Sequence, residues 1–323
     1  MHLPAFSLAP ASADASFRRY FRATLEAAWR DAGDARSLIV MDAPPAHEDC
    51  RPFVHVARLL TDANVHAPNV LAADMDRGYL LLTDLGTTTY ASALDAQSAP
   101  TLYSDAIDAL IQWQSASRAD ALPLYDDALL RRELRLFPDW YVARHLHAAL
   151  DERQSGALER VFEMVLANNL AQPRVFVHRD YHSRNLMVTT PNPGVLDFQD
   201  AVYGPITYDL VSLLRDAYVE WDEERQLDWA IRYWERARAA ELPVDADFGT
   251  FWRDFEWMGV QRQLKVLGIF ARLAIRDGKT AYVNDMPRVL GYLRRAAGRY
   301  AELDPLTALL DELHGSATSP VAA

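Results

Sequence analysis

Apolar and polar positions in this chain follow two different periods, and the change between them divides it. Up to about residue 85 the apolar positions come in short, partly alternating runs. That pattern predicts strands over 16–22 and 37–42, and a hairpin of 70–74 with 79–83 that turns at Asp76-Arg77-Gly78. One amphipathic helix, 51–63, lies among them. From about residue 100 the apolar positions recur at helical spacing over 101–118, 129–149, 157–169, 208–218, 223–240, 248–277 and 286–300. Two short apolar runs, 175–177 and 194–196, interrupt this series, and the breaker residues Pro191-Asn192-Pro193-Gly194 predict that they form one β-hairpin. The expectation is an α+β chain with a small β-rich lobe over 1–85 and a larger helical lobe over 86–323. The small and polar residues after His314 read as a frayed tail.

The loop at that hairpin carries the chemistry. It reads His178-Arg179-Asp180-Tyr181-His182-Ser183-Arg184-Asn185, and Leu196-Asp197-Phe198 follows with Asp197 twelve residues after Asn185. An Asp and an Asn five apart, then a second Asp after a short apolar strand, are the parts that phosphoryl transfer uses. Asp180 is the candidate base for an acceptor hydroxyl, and Asn185 and Asp197 are candidate oxygen ligands for Mg²⁺. Little covalent chemistry is asked of the protein in such a reaction, so a base and a metal held in line with the γ-phosphate of ATP are most of what the loop must supply. The apolar segment Leu80-Leu81-Leu82, with the polar step Thr83-Asp84-Leu85-Gly86 behind it, stands where the lobes meet. In a two-lobed protein-kinase-like fold this is the hinge, and backbone groups at Thr83 and Leu85 would meet the adenine edge.

Composition narrows the partners. With 323 residues, half of them hydrophobic, the chain can bury a sizeable core. Its formal net charge of −12 argues against nucleic acid or an anionic membrane as the main partner. No apolar run is long enough to span a bilayer, and the N-terminus has no signal-peptide pattern, so a cytoplasmic location is expected. The single cysteine, Cys50, rules out an intramolecular disulfide and reads as a passive small residue. Lys265 and Lys279 are the only lysines, so arginine carries nearly all the positive charge.

Taken together, the motifs resemble the superfamily of aminoglycoside phosphotransferases and choline kinases, in which His-x-Asp-x-His-x-x-Asn and a later Asp-Phe form the active centre. Asp14-Ala15-Ser16-Phe17-Arg18-Arg19-Tyr20-Phe21-Arg22, Val40-Met41-Asp42-Ala43-Pro44-Pro45 and Leu81-Leu82-Thr83-Asp84-Leu85-Gly86 are similar to the bacterial anomeric kinases of N-acetylmuramate and N-acetylglucosamine, which serve cell-wall recycling. Phe137-Pro138-Asp139-Trp140-Tyr141 and Arg144-His145-Leu146 add to the likeness, which spans about residues 10 to 215. The resemblance implies an ATP- and Mg²⁺-dependent kinase that phosphorylates the anomeric hydroxyl of an N-acetylated amino sugar. It gives His182 a bracing role in the loop or a place near the transferring phosphate. Asp209, in Tyr208-Asp209-Leu210, is expected as an N-terminal helix cap.

Two departures from the usual kinase plan stand out. The loop expected over the triphosphate, residues 11–16, has no glycine, so the Ser12 and Ser16 hydroxyls are the candidate donors. The small lobe also has no lysine, and a guanidinium of Arg18 or Arg22, ahead of Arg19, is expected to hold the phosphates, with Glu48 or Asp49 to orient it. For the acceptor, Trp140, Tyr141 and Arg144 on a helix, with His182, Gln199 and Asp200, suit an N-acetyl sugar whose lactyl carboxylate an arginine could pair with. Two alternatives remain at this point. One is a different small acceptor, such as an aminoglycoside, choline or homoserine, and the other is a nucleotide-binding regulator without catalysis.

Overall fold

The computed structural model describes residues 3–13, 17–29 and 33–315. Its contacts divide the chain into two compact units, Met1–Ala116 with His178–Ala201 and Ser117–Val177 with Val202–Ala323. The step expected after Leu85 therefore falls inside the first unit, because the next two helices and the loop bearing Asp180 group with the sheet.

In the first unit, strands β1 (Phe6–Ala13), β2 (Arg19–Trp29), β3 (Ala35–Asp42), β4 (Val70–Asp74) and β5 (Tyr79–Thr83) form an antiparallel sheet of order β1-β2-β3-β5-β4. Alternation drives it. Ala23, Leu25 and Trp29 of β2 are buried with Leu38, while Thr24 and Glu26 between them stay exposed. The sequence gives little sign of β1, since its two large apolar residues, Phe6 and Leu8, are followed only by small residues and Pro10. Proline cannot donate to a ladder, and the register shifts between Pro10 and Ser12 on this edge strand. Helix α1 (Arg51–Asp62) buries Phe53, Val56, Ala57, Leu59 and Leu60 and starts with Pro52, whose fixed φ suits a first turn. Helices α2 (Tyr90–Ala93) and α3 (Ala99–Ser115) follow.

The second unit is built round a long helix. It contains α4 (Asp127–Leu134), a π-helical segment (Phe137–His145), α5 (Glu152–Ala171), α6 (Tyr208–Leu214), α7 (Glu223–Ala239), α8 (Phe248–Arg276), α9 (Met286–Ala297) and α10 (Asp304–His314). Helix α8 is buried on all sides through its middle, against α5, α6, α9 and the π-helical segment. At Gly268 a Cβ would stand 2.4 Å from the backbone of Leu136, so only glycine permits this approach. The single helix expected over 129–149 is broken where Pro138 cannot supply an N–H, and its continuation is wider, with the Leu146 N–H on the Tyr141 carbonyl. Helix α10 was not expected.

Two further expectations are corrected. The runs 175–177 and 194–196 do not form a hairpin together. Strand β6 (Arg174–Val177) pairs with β9 (Val202–Pro205), and β8 (Gly194–Val195) pairs with β7 (Leu186–Met187). The turn at 191–194 closes this shorter β7–β8 loop, whose ends lie nearer in sequence and cost less entropy to join. Asp209 is the second residue of α6, fully buried, and Thr207 holds the cap position.

Burying charge in α8 is costly unless each charge is met. Glu256, with no exposure, accepts from Arg215 Nη2 at 2.9 Å, from the Tyr300 hydroxyl at 2.7 Å and from Arg299. Lys265 Nζ reaches Glu133 at 3.1 Å and the Tyr208 hydroxyl at 2.8 Å. Replacing Glu256 by Ala strands Arg215 in the interior and should cost about 3–5 kcal/mol of stability. Chemical denaturation of the variant checks this, and a loss below about 1 kcal/mol would mean that the network does not hold the helices together.

Candidate active site

The loop after β6 is tied down by its own first residue. His178 is buried, its Nδ1 accepts from the Asp180 backbone N–H at 3.2 Å, and its Nε2 bonds the Leu196 carbonyl at 2.9 Å. One imidazole thus joins the segment that carries Asp180 to the residue just before Asp197. The Asn185 carbonyl accepts from the Leu196 N–H at 2.9 Å and closes the same link further along. Arg179 and Asp197 both have positive φ, 77° and 62°, which side chains of this size adopt only under constraint from their surroundings. The Tyr181 hydroxyl, donating to the Ala106 carbonyl at 2.8 Å, fixes the loop to α3.

The structure brings Asp180, Asn185 and Asp197 together. Asn185 Nδ2 donates to the Asp180 carbonyl at 2.9 Å and lies 3.4 Å from Asp197 Oδ2, while Gln199 Nε2 donates to Asp197 Oδ1 at 2.8 Å. With its Nδ2 so engaged, Asn185 has its Oδ1 left to accept or to ligate. An amide oxygen and a carboxylate from neighbouring residues fit Mg²⁺, which takes few protein ligands and completes its octahedron with water and phosphate. Phe198 packs on Phe53 of α1 with centroids 4.7 Å apart, so the residue after the candidate ligand is anchored in the core.

A cleft of about 380 Å³ runs beside these residues within the first unit. Ile39, Leu82, Met187 and Leu196 line it with apolar surface, and Asn185 and Asp197 with polar groups. Flat apolar walls with a few polar groups suit a nucleobase and its phosphates. Sequence reasoning missed these four walls because each looks like an ordinary core position of its strand. It also assigned no role to His178 or to Arg184, which lines the same cleft.

At the other end of the cleft lies the segment after β5. Asp84 accepts from Arg22 Nε at 2.6 Å and Nη2 at 3.1 Å, and Arg22 Nη2 also reaches the Gly86 carbonyl at 2.8 Å. The Gly86 N–H turns back onto Asp84 Oδ1 at 2.9 Å, with Gly86 at φ 88°. Burial pushes the Asp84 carboxyl up, but the Arg22 fork and the Gly86 N–H outweigh it and hold the group below the usual carboxylate range. Thr83 Oγ1 accepts from the Asn69 N–H at 2.9 Å, and Leu85 lines the cleft with Thr83.

The three arginines fall in different places. Arg22 faces the cleft but is engaged by Asp84, Arg18 is paired with Glu48 at 3.1 Å, and Arg19 is paired with Asp42, its direct partner across β2 and β3. Glu48 also takes the Phe17 N–H at 3.2 Å, whereas Asp49 binds Arg51. Ser16 and the side chain of Ser12 lie outside the described residues. Asp200 is exposed, and its carbonyl accepts from Arg179 at 3.3 Å. His182 is half-buried in the loop, where its N–H donates to the Asp180 carbonyl at 3.0 Å.

Trp140, Tyr141 and Arg144 belong to the second unit, on the π-helical segment. Arg144 is exposed and stacks over the Trp140 ring at 4.1 Å. Tyr141 is turned inward between Phe137 and His145, with its hydroxyl 3.3 Å from His314 Nε2, and burial pushes its phenol up to about 12.

Comparison with known proteins bears on the family and the fold. A protein of Pseudomonas putida named N-acetylmuramate/N-acetylglucosamine kinase is 52% identical over 98% of this chain and 91% of its own. One of the same name from Neisseria meningitidis is 52% identical over 96% of this chain and 91% of its own. Among solved structures, a choline kinase from Streptococcus pneumoniae matches with a TM-score of 0.60 at 14% identity, covering 90% of this chain and 94% of that one. An ADP-bound aminoglycoside phosphotransferase matches with a TM-score of 0.54 at 14% identity, covering 88% and 92%. These two likenesses establish the expected α+β kinase-like fold. Residues 7–243 match the Phosphotransferase enzyme family, and with the relatives at 52% identity this places the chain in that family.

Proposed function

We propose that the protein is a kinase that moves the γ-phosphoryl group of ATP onto the anomeric hydroxyl of N-acetylmuramate or N-acetylglucosamine, in the reuse of cell-wall sugars. The observation that carries this reading is the 52% identity, maintained over 98% of the chain, to an enzyme of that name. The acceptor oxygen bonds to the γ-phosphorus as the bond to the bridging oxygen breaks, ADP leaves with the electron pair, and the acceptor proton passes to the Asp180 carboxylate. Asp180 can do this because His178 and Asn185 both hold its backbone, which keeps the base in a fixed direction. Asn185 and Asp197 would hold Mg²⁺, which when bound supplies positive charge to the phosphate oxygens. Arg22 does not face the phosphates in this reading. Its fork on Asp84 and Gly86 sets the shape of the segment that receives the base. Arg18, oriented by Glu48, is the arginine left for the triphosphate.

The acceptor is tested by nucleotide consumption over N-acetylmuramate, N-acetylglucosamine, glucose, choline, homoserine and kanamycin, with NMR of the product. Turnover should be confined to the two N-acetylated sugars, with the new phosphate on C1. A phosphate elsewhere, or a preference for kanamycin or choline, refutes the acceptor.

Asp180→Asn should lower turnover by about 10²-fold or more while nucleotide affinity stays near that of the wild type. Asp197→Ala should raise the Mg²⁺ needed for half-maximal rate more than Asn185→Ala does, since it removes a formal charge from a hard cation. Rates against Mg²⁺ concentration check both, and wild-type Mg²⁺ curves for the two metal variants would place the ion elsewhere.

The arginines are separable by kinetics. Arg22→Met should raise the Michaelis constant for ATP roughly tenfold with little change in turnover number, as expected for a partly buried ion pair that shapes a binding segment. Arg19→Met, on a side chain 64% exposed, should be nearly silent. Unchanged ATP kinetics in Arg22→Met would remove the hinge from the argument.

A further inference from the structure

From the sequence Gly194 is the last breaker residue of a turn, but the structure places it in β8, buried and paired with Met187 of β7. It is not among the glycines with positive φ, so its backbone would accept a side chain. A glycine inside a strand weakens it and marks a close approach. Here the approach is to side chains. A Cβ built at Gly194 would stand 2.8 Å from Leu85 Cδ1 and 3.2 Å from Thr189 Cγ2 and Oγ1. Leu85 belongs to the segment after β5 and lines the cleft of the first unit. The missing side chain therefore leaves room behind a wall of that cleft.

The backbone on both sides of this contact is held. In β8 the Val195 N–H donates to the His66 carbonyl at 2.7 Å and the Leu196 N–H to the Asn185 carbonyl at 2.9 Å. The turn before β8 is fastened by Asn192 Nδ2, which donates to the Tyr90 hydroxyl at 2.8 Å and to Asp105 Oδ2 at 2.7 Å. The segment that carries Leu85 is held by the Arg22 fork on Asp84 and Gly86, by the Gly86 N–H on Asp84, and by the Val188 N–H on the Thr88 carbonyl at 2.8 Å. What can give is the Leu85 side chain, which changes rotamer at far lower cost than either backbone moves. It has β8 on one side and the cleft on the other, so a methyl group added at Gly194 drives it into the cleft. We propose, on the reading of this cleft as the ATP site, that Gly194 is a positioning residue for the nucleotide: by letting Leu85 lie back against β8 it sets the width of the slot that takes the base.

The test is calorimetric titration with ATP, without any acceptor, of the wild type, Gly194→Ala, Leu85→Ala and the double variant. Gly194→Ala should weaken ATP about tenfold, as expected when a methyl group overfills a packed site. Leu85→Ala should weaken it about threefold through the lost wall. In that background Gly194→Ala should add nothing, because the atom it would meet is gone. Wild-type affinity in Gly194→Ala overturns the proposal, and so does a loss that persists undiminished in the double variant, which would assign Gly194 to the packing of β8. If Gly194→Ala fails to fold, the double variant decides. Recovery of the fold with the affinity of Leu85→Ala supports the proposal, and a double variant that is also unfolded overturns it. In turnover, Gly194→Ala should raise KM for ATP and leave kcat and the Mg²⁺ requirement as they are. A changed Mg²⁺ requirement would mean that β8 has carried Asp197 with it, and this too overturns the proposal. A wild type that binds no ATP refutes the nucleotide reading of the cleft and the proposal with it, a result distinct from ATP binding that is indifferent to the added methyl group.

Discussion

The imidazole of His178 is the contact on which the rest of the site depends. A loop that carries a candidate base and candidate metal ligands must hold them at one spacing, and backbone ladders of two residues, such as β7 with β8, are too short to do this alone. His178 supplies the missing restraint by accepting from the Asp180 N–H and bonding the Leu196 carbonyl, so the two ends of the site move as one piece. Burial protects both bonds from competition with water. The positive φ of Arg179 and Asp197 is the strain this restraint sustains, at about 1–3 kcal/mol for each such residue. A looser loop would relax it and lose the alignment of Asp180 with Asn185 and Asp197.

What could be read from the sequence follows the range of the forces involved. Helices such as α8 and the strands β3 and β5 were legible because their patterns are local, a period of 3.6 or of 2 within one segment. That Asp180, Asn185 and Asp197 come together was legible for the same reason, since their order and spacing lie within twenty residues. The pairing of β6 with β9 was not, because a four-residue apolar run fits many partners and its choice is made by the whole fold. The ion pair of Arg22 with Asp84, sixty-two residues apart, has no local signature, so Arg22 was assigned to phosphate on its strand position alone. Tyr141 and Arg144 illustrate the limit of periodicity on a helix. The π-helical turns that begin at Phe137 change which residues share a face, and they send Tyr141 inward and leave Arg144 outside.

An almost lysine-free chain also constrains how charge can be used. Both lysines lie beyond residue 264, so every cation in the sheet unit is an arginine or a histidine. Three neighbouring arginines there each come with a carboxylate: Arg18 with Glu48, Arg19 with Asp42, Arg22 with Asp84. Each pair fixes the plane of a fork, which a flexible lysine would not need, but it also cancels most of the charge. These three therefore present oriented donors more than net positive potential. In the proposed reaction the charge of a triphosphate would then be shared among Arg18, Arg184, which lines the cleft, and the cation that Asn185 and Asp197 would hold, so the candidate oxygen ligands would not act alone.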